Sequence, residues 1–575
     1  MKNNTFFYLL LLLPLLSYSQ TYITNVTVVD VKNKKLVPAQ TVTFTNKKIT
    51  QIQSAKKVKV PQNATVIDGS NQYLMPGMTD GHVHFFQSGG LYARPDAIDL
   101  RKQMPYETEI AWVHNNMEDF LRRYTKSGIT TVVDVGATPH FLKKRKDFAN
   151  KDFAPKIYMT GPLLTFWEPD VYQGLKEDEP FNLVTTPEQG RAMVQQQLPL
   201  QPDFIKIWYI IDPEKPEESA RKFLPVAKAI IDEAHKNKLK VAVHATEQLT
   251  AQLAVESGCD YLVHGIEDKI ITADFIKLLK DKKTILCPTL IVADGYNATF
   301  AQNIVPDTYE LENANAQQIG SVFDLKHLQD TTYSSRLKSY MRSKNMVASE
   351  RKTDSIRKVN LKKLSDAGVT IVVGTDAGNI GTQHASSYIR ELKAMLQSGM
   401  SNWQVLQAAT INSAELFDPA DGSIAVGKNA NLILLSANPL ENLDNLAKIN
   451  LIVNKGNVLQ PEKIITPTPL SLVQQQLNAY NARNIEAFLA PYADDVELYD
   501  FPDKLTGKGK EFMRKNYQQM FAALPYLHCE VKERIVQGNT VIDHERVMIR
   551  KNVFTEATAI YKIEDGKIKK VYFIQ

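Results

Sequence analysis

His82 and His84 are separated by one residue. On a strand both imidazoles therefore point to the same side, because side chains alternate with a period of two. Two imidazoles on one side can hold one metal ion. A lone His-x-His is a weak signal, and a structural pair is the plainer reading; the preceding Pro76-Gly77-Met78-Thr79-Asp80-Gly81 sharpens it. Of the eleven histidines, His244 and His264 also end short apolar runs, Val241-Ala242-Val243 and Tyr261-Leu262-Val263, and Asp376 ends Val372-Val373-Gly374-Thr375. Taken singly, each histidine is more often a structural residue hydrogen-bonded in place. Taken together, the imidazoles and the carboxylate make an N/O ligand set for divalent cations.

Lys206, in Phe204-Ile205-Lys206-Ile207, is the odd member. An ammonium has three donors and no acceptor, so it binds no metal. The plain alternative is a strand-end lysine reaching solvent. The chemical one is an amine that has reacted with carbon dioxide. The resulting carbamate has two oxygens able to bridge two cations, and brings the negative charge that neutral imidazoles lack.

Residues so far apart in the chain need a scaffold that brings strand ends together. From about Met75 to Phe417 short apolar strands alternate with amphipathic helices, the signature of parallel β/α architecture. The strand candidates are Met78 to His84, Thr130 to Gly136, Lys156 to Gly161, Phe204 to Ile210, Lys240 to Ala245, Tyr261 to Gly265, Thr284 to Leu290 and Val369 to Asp376. Eight such units predict an α/β fold, a (β/α)8 TIM barrel over 76–417, whose active sites lie at the C-terminal ends of the strands. The long polar, helical insertion from Ile291 to about Ser365 is a candidate lid. Short β-prone runs at 20–75 and 418–462 predict a small β-sandwich formed by both flanks. Prolines in 463–469 suit a linker, and 470–575 reads as a separate α+β module, helical at Leu472 to Leu489 and strand-like at Val541 to Ile549, Ala557 to Ile563 and Lys570 to Ile574.

At 575 residues the chain exceeds what a single core supports. A net charge of +5 with no basic run longer than Lys143 to Lys146 argues against a nucleic-acid partner. Lys2, the apolar run Phe6 to Leu16 and the small residues before Gln20 read as a signal peptide over 1–19. The expected mature chain is exported, periplasmic in a bacterium, and without a stable membrane anchor. Three scattered cysteines, Cys259, Cys287 and Cys529, give no disulfide framework, and the first two read as buried small hydrophobes.

The ordered set from Tyr73 to His84, Phe204 to Ile207, Val241 to Glu247, Leu262 to Gly265 and Gly374 to Gly378 resembles the imidazolonepropionase-like and prolidase-like branch of the amidohydrolase superfamily. Ala409 to Ala414, Gly422-Ser423-Ile424 and Asn438-Pro439-Leu440 resemble that family's return into the sandwich. The resemblance implies that His82, His84 and Asp376 bind one metal, that His244 and His264 bind a second, and that carbamylated Lys206 bridges them, with zinc the default ion. Asn431 stands where the family usually has Asp, and Thr246 and Glu247 follow the fifth-strand histidine where characterised dipeptidases often carry an aromatic residue two places on. Residues 470–575 resemble NTF2-like (SnoaL-like) domains.

The expected chemistry is hydrolysis of C–N bonds in a small-molecule substrate (amide, cyclic amide or peptide-like) by a metal-bridged hydroxide, with Asp376 as the catalytic proton acceptor. A lactone or ester hydrolase on the same site is the alternative. A reading of another class makes the chain a small-ligand binding or dimerisation protein acting through its last domain, and a homo-oligomer is expected. His140, His384, Thr246 and Glu247 are candidates for binding substrate; Asp543 and His544 are candidates for a pocket in the last domain.

Overall fold

The computed structural model describes residues 20–328 and 331–574; the signal peptide expected over 1–19 lies outside the described residues. Strands Met78–Val83 and Ile129–Asp134 are buried along their whole length, as parallel strands covered on both faces must be. Met78–Val83, Ile129–Asp134 and Lys156–Met159 pair in parallel in that order. Phe204–Trp208, Lys240–His244, Tyr261–Val263 and Ile285–Cys287 form a second parallel arc. The amide of Asp203 donating to the Met159 carbonyl joins the arcs on one side. On the other side the segment 370–377 runs between Ile285–Cys287 and the first strand. Val372 N donates to Leu286 O, Gly81 N to Val373 O, and Asp376 N to His82 O, which closes the barrel.

This eighth segment is held by isolated bridges at Ile371 and Ala377 in place of a continuous ladder. Its irregularity has a local cause. Thr375 turns to the Asp80 side chain, and Asp376 takes a left-handed backbone with φ +59. Two further short strands, Leu163–Thr165 and Phe181–Leu183, extend the second arc beside Phe204–Trp208; the sequence pattern does not show them, since each has only three residues.

The two flanks are joined in one eight-stranded sheet, Leu432–Leu435 lying antiparallel to Tyr73–Pro76. The sheet curls on itself: Lys48 bridges Asn429, and Ala430 N donates to Lys47 O. Its interior holds Ile23, Val26, Val42, Phe44, Leu432 and Val453. Asn431, the departure from the family's usual Asp, donates to Asp421 and accepts from the Lys455 amide, so its role is to tie this sheet together.

The irregular linker is confined to 465–468. A short helix, Pro461–Ile464, packs on the barrel, and Pro469 opens the next helix behind a Thr468 capping box, a position where proline's missing N–H costs nothing. The single helix expected over Leu472 to Leu489 is two, Pro469–Ala482 and Ile485–Leu489, broken where Arg483 adopts φ +55 and Asn484 caps the second. A six-stranded sheet and the helix Lys510–Ala523 complete this domain.

The insertion after the seventh strand has two roles. Helices Thr308–Asn313 and Ala316–Ser321 place Leu311, Ala314 and Ile319 in the hydrophobic core of the C-terminal domain, beside Leu472 and Val473. Asn478 donates to the Ala316 carbonyl across the same contact, at 2.6 Å. The stretch is fastened to the barrel as well, since Arg123 donates to the Asn313 and Ala314 carbonyls. The middle of the expected lid is thus a bracket between two domains.

Gly374 is where the eighth segment passes closest to the first strand. A Cβ there would collide with Cys287 Sγ and lie 2.7 Å from His82 Cβ. Overpacking of a buried site costs about 1–3 kcal/mol. Gly374→Ala should therefore lower Tm by several degrees, and an unchanged Tm in a thermal melt would refute the close packing.

Candidate functional site

Four strands and the eighth segment deliver six side chains to one cavity of the barrel. His82 and His84 come from the first strand and the residue after it, Lys206 from the middle of Phe204–Trp208, His244 from the end of its strand. His264 follows Tyr261–Val263, and Asp376 lies on the closing segment. His82 Nε2 and His84 Nε2 are 3.2 Å apart, and each lies 3.1 Å from Asp376 Oδ1. His264 Nδ1 is 4.0 Å from Asp376 Oδ2, and the His244 and His264 rings stand 4.3 Å apart. All six expected ligands are therefore brought together. His264 and Asp376 both have positive φ, +79 and +59, conformations that cost non-glycine residues about 1–3 kcal/mol and persist where surrounding structure imposes them.

The protonation states follow from burial. Burial pushes His82 down to about 4, and drives His244 and His264 well below the ordinary histidine range. Neutral imidazoles offer lone pairs, which cations need as ligands. His84 Nδ1 lies 3.2 Å from the Gly136 carbonyl and His264 Nδ1 lies 2.6 Å from Thr289 Oγ1. Each contact fixes its ring, and for His84 it leaves Nε2 to the site, as outer partners of metal-binding histidines do. Burial also lowers the Lys206 amine to about 7, and among the described residues no side chain or carbonyl bonds to its Nζ. An amine that is neutral near pH 7 is the form that reacts with carbon dioxide.

Supporting groups set the register of the first strand. The Asp80 carboxylate accepts from Thr375 Oγ1 at 2.7 Å and Thr375 N at 3.0 Å. Tyr261 OH donates to the Gly81 carbonyl and Tyr388 OH to that of Thr79. Asp134 accepts from the amides of Phe85 and Gly136, both at 3.0 Å, and stands 3.9 Å from His84 Nδ1.

The six residues sit at the floor of a cavity of about 350 Å³. Thr246 lines it, as expected. Glu247 does not; its carboxylate accepts from Thr246 and Thr250 hydroxyls. His384 is a correction. It is buried between Phe85 and Phe120, bonded to the Gln87 carbonyl and Tyr124 OH, and serves to hold the chain after the first strand. His140 is another, lying outside the cavity and stacked on His114, with ring centroids 3.6 Å apart. Both histidines sit near strand ends in sequence, but the helix and loop geometry that turns them away from the cavity leaves no sequence signal.

Sequence reasoning found no cation for this cavity, and the structure supplies two. Arg94 pairs with Asp96 and reaches Asn379; Arg357 pairs with Glu350 at 2.6 Å and Glu267 at 3.4 Å, with its Nε left unbonded. Arg357 comes from helix Lys344–Asp366 and Tyr296 from Val292–Phe300, so the two ends of the insertion wall the cavity. The insertion's start is pinned where the buried Glu391 carboxylate accepts from the Leu290 and Ile291 amides. Trp208 and Phe181 add an apolar wall, their rings 4.8 Å apart.

A closed parallel barrel with convergent imidazoles and a carboxylate at its C-terminal rim has the architecture of a barrel enzyme. The amidohydrolase family model matches residues 73–461, and a SnoaL-like domain model matches 473–571. The chain belongs to the amidohydrolase family and is a hydrolase. It is similar to the crystal structure of a putative prolidase from Bifidobacterium longum, at 23% identity and a TM-score of 0.56 over 77% of this chain and 95% of that one. A Xaa-Pro dipeptidase with bound methionine matches at 20% identity and a TM-score of 0.57, over 77% of this chain and all (100%) of that one. Phenylurea hydrolase B matches at 20% identity and a TM-score of 0.57, over 77% and 97%. A comparison with curated proteins gives no match.

Asp134→Ala would strip two buried amides of their acceptor, at about 1–3 kcal/mol each, and loosen Gly136, whose carbonyl holds the His84 ring. Tm should fall, and metal affinity, measured by titration with a chromophoric competitor, should weaken by about 10–100-fold. Unaltered affinity would show that Asp134 does not support His84.

Proposed function

We propose that the protein is a metal-dependent hydrolase of C–N bonds in amides, cyclic amides or peptide-like small molecules. The observation that carries this reading is the convergence of two imidazole nitrogens and a carboxylate oxygen within 3.2 Å of one another, with a buried lysine of depressed pKa on another strand of the barrel lining the same cavity. Two ring nitrogens and a carboxylate oxygen so close fit a cation between them. His82, His84 and Asp376 would hold one ion, His244 and His264 a second, and Lys206, as its carbamate, would connect the two. Zinc suits such imidazole-rich sites. Divalent cations there would polarise the scissile carbonyl and lower the pKa of water to about 7.

The chain's own groups supply the rest. Asp376 receives the proton of the attacking water at its carboxylate and returns it to the leaving nitrogen, without which an amide nitrogen departs as a poor leaving group. Asn379 Nδ2 donates to Asp376 Oδ1 at 2.8 Å, so this carboxylate is held in one rotamer while it does so. Trp208 and Phe181 exclude water from one wall, and Arg357, paired with Glu350 and Glu267, brings a cation to the lining. Similar structures described as a prolidase, a Xaa-Pro dipeptidase and a phenylurea hydrolase are all consistent with C–N cleavage.

Metal analysis of purified protein should give about two divalent ions per chain. Lys206→Ala should lose metal and turnover on a panel of amides, dipeptides and lactones. Asp376→Asn should lower kcat by about 10²-fold or more. Full metal occupancy with unchanged turnover in Lys206→Ala would overturn the bridging role, and faster cleavage of lactones than of any amide would overturn the C–N assignment.

A further inference from the structure

The C-terminal domain encloses a cavity of about 440 Å³ between its curved sheet and its helices. Strand Thr540–Arg550 places Glu545, Val547 and Ile549 along it, two residues apart. Asp543, one step further along that face, stays out of it; it is fully buried in an ion pair with Arg534, which also bonds Gln474. His544 points the other way and meets Glu556. Neither of the residues expected to line a pocket here does so, and the neighbouring carboxylate takes that place.

Glu545 ends a chain of hydrogen bonds that all run in one direction. Tyr492 OH donates to Gln476 Oε1 at 3.2 Å, Gln476 Nε2 to Tyr561 OH at 3.1 Å, and Tyr561 OH to Glu545 Oε1 at 3.0 Å. The Cys529 thiol also hydrogen-bonds this carboxylate, so its protein partners are two neutral groups and no cation. No lysine, arginine or histidine lines this cavity among the described residues. The rest of the wall is largely apolar, aliphatic side chains such as Leu477, Met520 and Leu527 together with the rings of Tyr480, Phe488, Tyr492, Tyr517, Tyr561 and Phe573. Ring faces carry negative potential and attract cations, and a cage of rings around a carboxylate is suited to an ammonium group. Burial raises the Glu545 carboxyl to about 7, so the empty cavity holds it part-protonated and an arriving cation would favour the charged form.

We propose that this cavity is a second small-molecule site, which binds an organic amine with an apolar or aromatic body, its ammonium on Glu545 and its body among the tyrosine and phenylalanine rings. The volume falls within the range of small-ligand pockets. Hydrolysis of an amide adds one water across the C–N bond, leaving a carboxylic acid on the carbonyl side and a free amine on the nitrogen side, and that amine is a ligand of this class. The connection rests on the C–N hydrolysis proposed above, whereas the binding itself does not.

Calorimetric titration of the full-length, metal-loaded protein with 2-phenylethylamine, 2-phenylethanol and 3-phenylpropanoate tests the site. The amine should bind at least about tenfold more tightly than the alcohol or the acid, a difference of about 1.4 kcal/mol. Glu545→Gln should abolish the preference. Ala557→Leu, which fills the cavity from the sheet side, should abolish binding, and serves as the test if Glu545→Gln fails to fold. Amine binding should persist after the metals are stripped with a chelator, whatever the outcome for hydrolysis. Binding that disappears with the metals would place the amine in the barrel and overturn the proposal. Equal affinity for all three compounds, absence of binding, or a Glu545→Gln variant that still prefers the amine would overturn it too.

Discussion

The pair of hydrogen bonds from Thr375 to the Asp80 carboxylate joins the first strand of the barrel to its last segment. His82 lies two residues beyond Asp80 and Asp376 one beyond Thr375, so this clasp sets the distance between them. Asp80 is fully buried, and burial raises its carboxyl to about 7. Such a group is tolerated because both its oxygens are bonded, and a buried polar group left unpaired costs more than the bond itself returns. The irregular, bridge-held eighth segment exists because its residues serve this clasp and the site at the expense of a regular ladder.

Around that clasp the structure divides its labour between rigid and inserted parts. Barrel strands deliver the converging side chains; Thr289 and the Gly136 carbonyl orient the rings of His264 and His84, and Asp134 holds the Gly136 amide. Chain inserted between the seventh and eighth strands delivers what distinguishes this cavity, namely Tyr296 and Arg357. The same insertion carries the C-terminal domain through Leu311, Ala314 and Ile319. One polypeptide excursion therefore shapes the barrel cavity and seats a domain that has a cavity of its own.

Much of this is legible in the sequence. The six converging side chains, the eight strand positions and the separate last module follow from local patterns: apolar runs of four or five residues, histidines at their ends, and prolines between modules. Those patterns are visible because a buried parallel strand has to be apolar throughout, and because a strand's alternation fixes which side each histidine faces. The three-residue strands Leu163–Thr165 and Phe181–Leu183 are invisible for the converse reason, being too short to carry a period.

His140 and His384 mark the limit. Both follow a barrel strand, as a substrate-binding residue would, yet the first stacks on His114 and the second is packed between Phe85 and Phe120. Arg357 shows the opposite error, a residue in the middle of a polar helix that ends beside the cavity. In the last domain the shift from Asp543 and His544 to Glu545 is a matter of one or two positions along a strand, where alternation decides the face and curvature decides which residues on that face reach the open end. The sequence by itself determined the ligand types and the strand ends that bear them, because both are properties of a few adjacent residues. Only the tertiary structure decided what surrounds the ligands and which carboxylate opens into the second cavity, because those depend on how distant segments pack against one another.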